Sequence, residues 1–294
     1  MKAYITNLAY ELPEKVEENE SKRIIKATGV ERRHICAENE TGSDLAVRAA
    51  EKIFSKNENL RKKIDYVIFC TQAPDYFMPS TVCTIQDRLH LNKNIGAFDF
   101  NLGCSGFIYG LGIAKGFIES NQAQCILLLA AETLSKFINP KDHSTRTILG
   151  DAASAIIIEA KDDDKSGIIG MTYGTDGSGA SELIIPVGGM RHRFETTPLE
   201  EIEDKYGNIR TNRNLYMNGL AIMDFALEVV PDCLQKIFQK TGLKKSDIDY
   251  YVFHQANRLI LEYLQKKCDL ANLPYWKDVK NYGNTGPNSI IFNI

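Results

Sequence analysis

The sequence predicts a layered α/β chain assembled from two related halves, and three observations carry that expectation. Short β-rich runs alternate with stretches of helical periodicity, the pattern of sheets covered by helices. Tyr66-Val67-Ile68-Phe69-Cys70 and the run from Cys125 to Ala131 are apolar throughout, as strands buried on both faces are. Finally, a block recurs. Ile64-Asp65-Tyr66-Val67-Ile68-Phe69-Cys70 is matched by Ile248-Asp249-Tyr250-Tyr251-Val252-Phe253-His254. Further on in each half, Asn101-Leu102-Gly103-Cys104-Ser105-Gly106 is matched by Asn281-Tyr282-Gly283-Asn284-Thr285-Gly286. Two matches in one order argue for a duplication, with halves at 1–165 and 166–294.

Residues 2–6 read as the first strand. Thr41-Gly42-Ser43-Asp44 supplies N-cap side chains, after which Leu45, Ala49, Ile53 and Phe54 recur at helical spacing. The strand at 66–70 follows, and Pro79-Ser80-Thr81 opens a helix with Val82, Ile85 and Leu89 as its apolar stripe. Residues 95–101 form the next strand. A helix at 105–119 then sets Phe107, Leu111, Ala114 and Ile118 on one side. Buried strands at 125–131 and 152–159 complete the first half. Gly174-Thr175-Asp176-Gly177-Ser178-Gly179 and Pro186-Val187-Gly188-Gly189 mark a loop-rich stretch. Residues 220–239 read as a long helix kinked at Pro231.

Bulk properties narrow the function classes. The 294 residues suit one large domain or two fused halves. A net charge of −3 offers no electrostatic footprint for nucleic acid, and Arg191-His192-Arg193, Lys244-Lys245 and Lys266-Lys267 read as solvated faces. No apolar run approaches the ~18 residues of a membrane helix, and the N-terminus shows no signal-peptide pattern. The seven cysteines show no C-x-x-C spacing, and most lie in apolar stretches. A cytoplasmic chain with no metal site, no disulfide framework and no membrane contact is therefore expected.

Three residues carry the chemistry. Cys104 lies in Gly103-Cys104-Ser105-Gly106, between a strand and a helix. There the helix dipole and backbone N–H groups favour the thiolate, so a lowered pKa is expected. Small neighbours admit a substrate carbonyl, and the Cys104 N–H is a candidate oxyanion donor. His254 is one of five histidines and the one placed at a strand end inside the repeat. The repeat sets Asn284 opposite Cys104. Alone, each has an ordinary reading: a core cysteine, a satisfied buried histidine, a turn asparagine. Together they suit acyl transfer followed by stabilisation of a second oxyanion, as carbon–carbon condensation of thioesters requires.

Cys104, His-Gln-Ala-Asn at 254–257 and Tyr-Gly-Asn-Thr-Gly at 282–286 resemble the three active-site motifs of β-ketoacyl-[acyl-carrier-protein] synthase III. Gly29-Val30-Glu31-Arg32-Arg33-His34-Ile35, Ser43-Asp44-Leu45-Ala46, Leu149-Gly150-Asp151-Ala152 and Met217-Asn218-Gly219 extend the likeness over essentially the whole chain. The resemblance implies a five-layered αβαβα thiolase-like fold, usually homodimeric. It also implies a ping-pong reaction. Cys104 takes an acyl group from acyl-CoA or an acyl carrier protein (ACP), and malonyl-ACP then loses carbon dioxide while His254 and Asn284 donate to its thioester oxygen. Coenzyme A and phosphopantetheine thioesters are the implied substrates, with no bound cofactor.

The chain also departs from the family pattern. Arg23 stands where a tryptophan usually stacks on adenine, Ala27 and His143 replace arginines, and Arg146 follows close by. Arg23 and Arg146 are thus the candidate contacts for coenzyme A or phosphopantetheine, Arg23 by cation–π stacking on a base. Arg258, Lys266 and Lys267 are candidates for ACP docking. By the logic of the repeat, the second half lacks a helix and two strands after Asn284, and Ile290-Ile291-Phe292-Asn293-Ile294 looks out of place. The expected fold is therefore thiolase-like with an incomplete second half. Two other functions stay open: acyl transfer to oxygen or nitrogen without decarboxylation, and an inactive remnant.

Overall fold

The computed structural model describes residues 1–162 and 167–293. Strand β1 (Lys2–Glu11) leads into a hairpin, β2 (Val16–Glu18) with β3 (Arg32–His34), which encloses helix α1 (Lys22–Thr28). There follow α2 (Gly42–Phe54), α3 (Asn59–Lys63), β4 (Tyr66–Cys70), α4 (Thr81–Arg88) and β5 (Gly96–Phe100). Next come α5 (Gly106–Glu119), β6 (Cys125–Glu132), the short α6 (His143–Arg146) and β7 (Ala152–Lys161). Beyond these, β8 (Leu183–Ile184) pairs with β11 (Tyr216–Met217), and β9 (Glu201–Glu203) with β10 (Ile209–Thr211). Helices α7 (Gly219–Thr241) and α8 (Arg258–Lys267) and a 3-10 turn, Gly286–Asn293, close the described chain.

Five strands form one sheet in the order β1-β7-β6-β4-β5. β4 runs parallel to both neighbours, with Ile68 opposite Phe98 and Leu128, while β7 is antiparallel to β6 and β1. Every residue of β6 is buried because helices cover both faces. Alternate side chains divide between two cores. Leu127, Leu129 and Ala131 join Leu45, Ala49, Ile53, Val82 and Ile85 of α2 and α4. Ile126 and Leu128 join Phe107, Ala114 and Ile118 of α5. The apolar runs of the sequence record this two-sided burial. Helix α2 starts as its cap residues predict, the Thr41 N–H donating to Asp44 at 2.8 Å. α4 is anchored to β5, because Asp99 accepts from the N–H groups of Thr81 and Val82 at 2.5 and 2.9 Å.

The second half differs from its sequence reading. Residues 248–254 are expected to copy β4, yet among the described residues they make a single parallel bridge, Tyr251 to Tyr275. β4 is held between β5 and β6, whereas among the described residues this segment bridges Tyr275 alone. The parallel pairing echoes β4 with β5 without extending into a sheet there. Helix α7 runs unbroken through Pro231 for 23 residues and carries no buried residue.

Ile290 and Ile291, expected to be out of place, are 6% and 1% exposed in the same core as Phe107 and Ile156. The 3-10 turn lays them on the sheet, so the expected misfit does not hold for these two residues. Ile294 and the expected boundary at 165/166 lie outside the described residues.

Candidate active site

Cys104 occupies the turn between β5 and α5, two residues ahead of Gly106, the first helical residue. The end of β4 props this turn. The Cys70 thiol donates to the Leu102 carbonyl at 3.1 Å, and a Cβ on Gly106 would stand 2.3 Å from the Cys70 Sγ. Only glycine lets the helix start so close to the strand. The Cys104 side is exposed, yet protein closely surrounds the thiol, and desolvation pushes its pKa up to about 11 against an opposing backbone hydrogen bond. The expected lowering is therefore corrected. Burial outweighs the stabilisation that the helix start lends the thiolate, and the group is a thiol at neutral pH.

Asn284 is fixed by its backbone. Its N–H donates to the Ile148 carbonyl at 2.8 Å, and its carbonyl accepts from the Gly150 N–H at 2.9 Å. The two chains run back to back, which explains Gly283. A Cβ there would lie 2.4 Å from the Ile148 oxygen, and its φ of 65° is in the left-handed region. The side-chain Oδ1 accepts from the Gly286 N–H at 2.9 Å, so the amide is oriented with Nδ2 as its available donor.

His254 ends the 248–254 segment. Its Nδ1 lies 2.8 Å from the Ser289 Oγ, and its Nε2 is buried with no hydrogen-bond partner among the described residues. Desolvation lowers its pKa to about 4, partly offset by the Gly286 backbone, so the imidazole is neutral.

The turn at 284–289 carries Asn284, holds His254 and packs against the start of the helix that follows Cys104. Ser289 holds His254, Pro287 Cβ lies 3.7 Å from the Cβ position of Gly106, and Asn284 opens the turn. Glu132, at the end of β6, joins both sides. Its Cγ is 3.0 Å from the Cβ position of Gly286, and its carboxyl lies close enough to feel Cys104 electrostatically. Glu132 is fully buried and accepts from the Gln72 N–H at 3.1 Å, while burial holds its pKa well above the usual carboxylate range. Burial thus favours its uncharged form.

Sequence reasoning passes over Glu132, Asn288 and Ser289. Asn288 accepts from the Ser154 hydroxyl at 2.7 Å and donates to the Ala152 and Thr285 carbonyls at 3.0 and 3.2 Å, tying the turn to β7. A carboxylate closing an apolar strand is a usable signal for Glu132. The polar pair between Pro287 and Ile290 follows no period that reveals it.

The remaining candidates are dispersed. Arg23 is exposed on α1. Arg146 is engaged, pairing with Glu17 at 3.2 Å and donating to the Pro140 carbonyl at 3.0 Å. Arg258 donates to the Lys26 carbonyl and lies 3.8 Å from Glu262, joining α8 to α1. Lys266 and Lys267 are exposed in the last turn of α8.

Sheet order and site together place the molecule among the thiolase-like α/β acyltransferases, and comparison with known proteins narrows that class. The family model for 3-oxoacyl-[acyl-carrier-protein (ACP)] synthase III matches residues 98–177, and its C-terminal model matches 238–294. The first match contains Cys104 and the second contains His254 and Asn284. A β-ketoacyl-[acyl-carrier-protein] synthase III of Caldanaerobacter subterraneus subsp. tengcongensis is 34% identical, over 94% of this chain and 80% of its own. That of Clostridium perfringens is 36% identical, over 90% and 77%. A crystal structure of a 3-oxoacyl-(acyl-carrier-protein) synthase III superposes with a TM-score of 0.96 at 39% identity, covering 99% of this chain and 90% of that one. The Thermus thermophilus enzyme gives 0.84 at 32%, covering 98% and 88%. The chain belongs to the β-ketoacyl-[acyl-carrier-protein] synthase III family. The shortened C-terminus expected from the repeat finds no support in this coverage.

Proposed function

We propose that this chain condenses an acyl thioester with malonyl-ACP, with loss of carbon dioxide, through an acyl group held on Cys104. Its two halves, 1–165 and 166–294, are read as duplicates, one supplying the thiol and the other the imidazole and carboxamide. The observation that carries the reading is the turn at 284–289, where Asn284 and the Ser289-bound His254 come together against the start of α5.

The steps follow from the groups present. Cys104 attacks the carbonyl of the acyl thioester, and exchange releases the donor thiol and leaves acyl-Cys104. Malonyl-ACP then enters. Breaking its carboxyl–carbon bond releases carbon dioxide and leaves an enolate, whose oxygen accepts from Asn284 Nδ2 and His254 Nε2. The enolate carbon attacks the acyl carbonyl. Collapse of the adduct expels the Cys104 sulfur, which regains a proton, and frees the β-ketoacyl-ACP. Neutral donors suit this sequence, because they stabilise the enolate without salt-bridging the carboxylate that must leave.

Thioesters of coenzyme A or of ACP phosphopantetheine serve as substrates, and no bound cofactor or metal takes part. Arg146 and Arg258 are already engaged, so donor binding is assigned chiefly to Arg23 and carrier docking to Lys266 and Lys267. A homodimer is the proposed assembly. β5 ends the sheet with an open edge, and the loop after β4 exposes Tyr76, Phe77 and Met78 by 63, 75 and 85%. Released label from carboxyl-labelled malonyl-ACP, measured with an acyl-CoA present, tests the reaction. The expected result is release that Asn284→Ala reduces about 100-fold, the cost of losing one oxyanion donor. Acyl transfer to an oxygen or nitrogen acceptor with no release, or no turnover at all, would overturn the reading.

A further inference from the structure

We infer that Ser289 is a positioning residue for His254: its hydroxyl donates to Nδ1 and so places the single imidazole hydrogen on Nε2, where the condensation needs a donor. The inference rests on the condensation reading above. A neutral imidazole carries one N–H, so Nε2 donates only if Nδ1 accepts. The Ser289 Oγ lies 2.8 Å from Nδ1, and the residue is 2% exposed.

The bonds around this hydroxyl decide where its hydrogen goes. The Gln255 N–H donates into the same Oγ at 3.1 Å, filling one acceptor position and polarising the O–H bond. Nδ1 at 2.8 Å and the Gly286 carbonyl at 2.9 Å both lie within reach of the hydrogen. Gly286 opens a 3-10 turn, in which its carbonyl faces the backbone N–H three residues on, that of Ser289 itself. The Gly286 backbone also lies close enough to act on His254 and is the rival partner of both groups. Since that carbonyl already faces the Ser289 N–H, the hydroxyl hydrogen is assigned to the Nδ1 side. The result is a relay from the Gln255 N–H through the Ser289 hydroxyl to Nδ1, with Nε2–H left unpartnered until a substrate oxygen reaches it. The same relay explains a serine between Pro287 and the buried Ile290, where an apolar side chain would otherwise pack.

Two measurements on the full chain test this. In 15N-histidine spectra of the unaltered protein at neutral pH, His254 is assigned by its loss in His254→Ala. It should show a protonated Nε2 and an unprotonated Nδ1, whereas a protonated Nδ1 would overturn the inference whatever the variants do. In Ser289→Ala, malonyl-ACP decarboxylation by acylated protein should fall at least tenfold, while acylation of Cys104 by acyl-CoA changes less than about threefold. Equal loss of both steps would show a merely structural role, and no loss of either would show that the hydroxyl is dispensable. Failure of the condensation reading is recognised separately, since the unaltered protein would then release no carbon dioxide.

Discussion

Cys104 and His254 are both held in their uncharged forms by burial, and each predicts a pH dependence. With the thiol pushed up to about 11, only a small thiolate fraction exists at neutral pH. Alkylation of Cys104 by iodoacetamide should therefore climb about tenfold per pH unit between 7 and 10. A plateau reached near pH 7 would show that the helix start wins after all. For His254, the folded pKa of about 4 lies below the unfolded value of 6.5. Between these values the unfolded chain binds a proton that the native state refuses. Stability is thus full above about pH 6.5 and is lost as pH falls towards 4, by up to about 3 kcal/mol. Urea unfolding at pH 7 and pH 5 checks this, with His254→Gln expected to lose less on acidification than the unaltered chain.

At the scale of elements, the chain shows which parts of a fold a sequence reveals. β4, β6 and β7 are legible because sheet burial on both faces writes continuous apolar runs, and α2 and α5 because one-sided burial writes a helical period. Cys104, His254 and Asn284 stand out in the sequence because the repeat sets them at related places. Residues 248–254 carry the side-chain pattern of β4 but not its neighbours, and a strand is defined by neighbours as much as by pattern. Ser289 escapes because the Asn288-Ser289 pair follows no period, whereas Glu132 left a signal, a carboxylate closing an apolar strand. The Leu149–Asn284 bridge ties the 284–289 turn to the segment before β7, and its weak point is Gly283. Gly283→Ala puts a Cβ into a backbone oxygen at a positive φ, so a loss of about 2 kcal/mol or more in urea unfolding is expected. Asn284 moves with it, and condensation should fall alongside stability. An unchanged midpoint would mean that the two chains part easily there.

Across the whole molecule, packing is uneven. The sheet buries both faces, while α7 buries none of its residues and exposes Leu220 by 74% and Phe225 by 45%. Regions with few buried contacts open at lower free energy than core strands. Backbone amides of α7 should accordingly exchange with deuterium at least tenfold faster than those of β6 and β7, and equal protection would show that α7 is covered in solution. The candidate site lies on the well-packed side, with Cys104 in the turn after β5 and Asn284 on the turn whose Ile290 and Ile291 enter the core beneath it. In the proposed reaction one sulfur carries the acyl group while the donors on the 284–289 turn act on the next substrate. Intact-mass and peptide analysis after mixing the protein with acyl-CoA tests that most directly. The acyl mass should appear on the peptide containing Cys104, disappear on adding malonyl-ACP, and be absent in Cys104→Ala; an acyl group on another residue, or an adduct that malonyl-ACP leaves untouched, would contradict it.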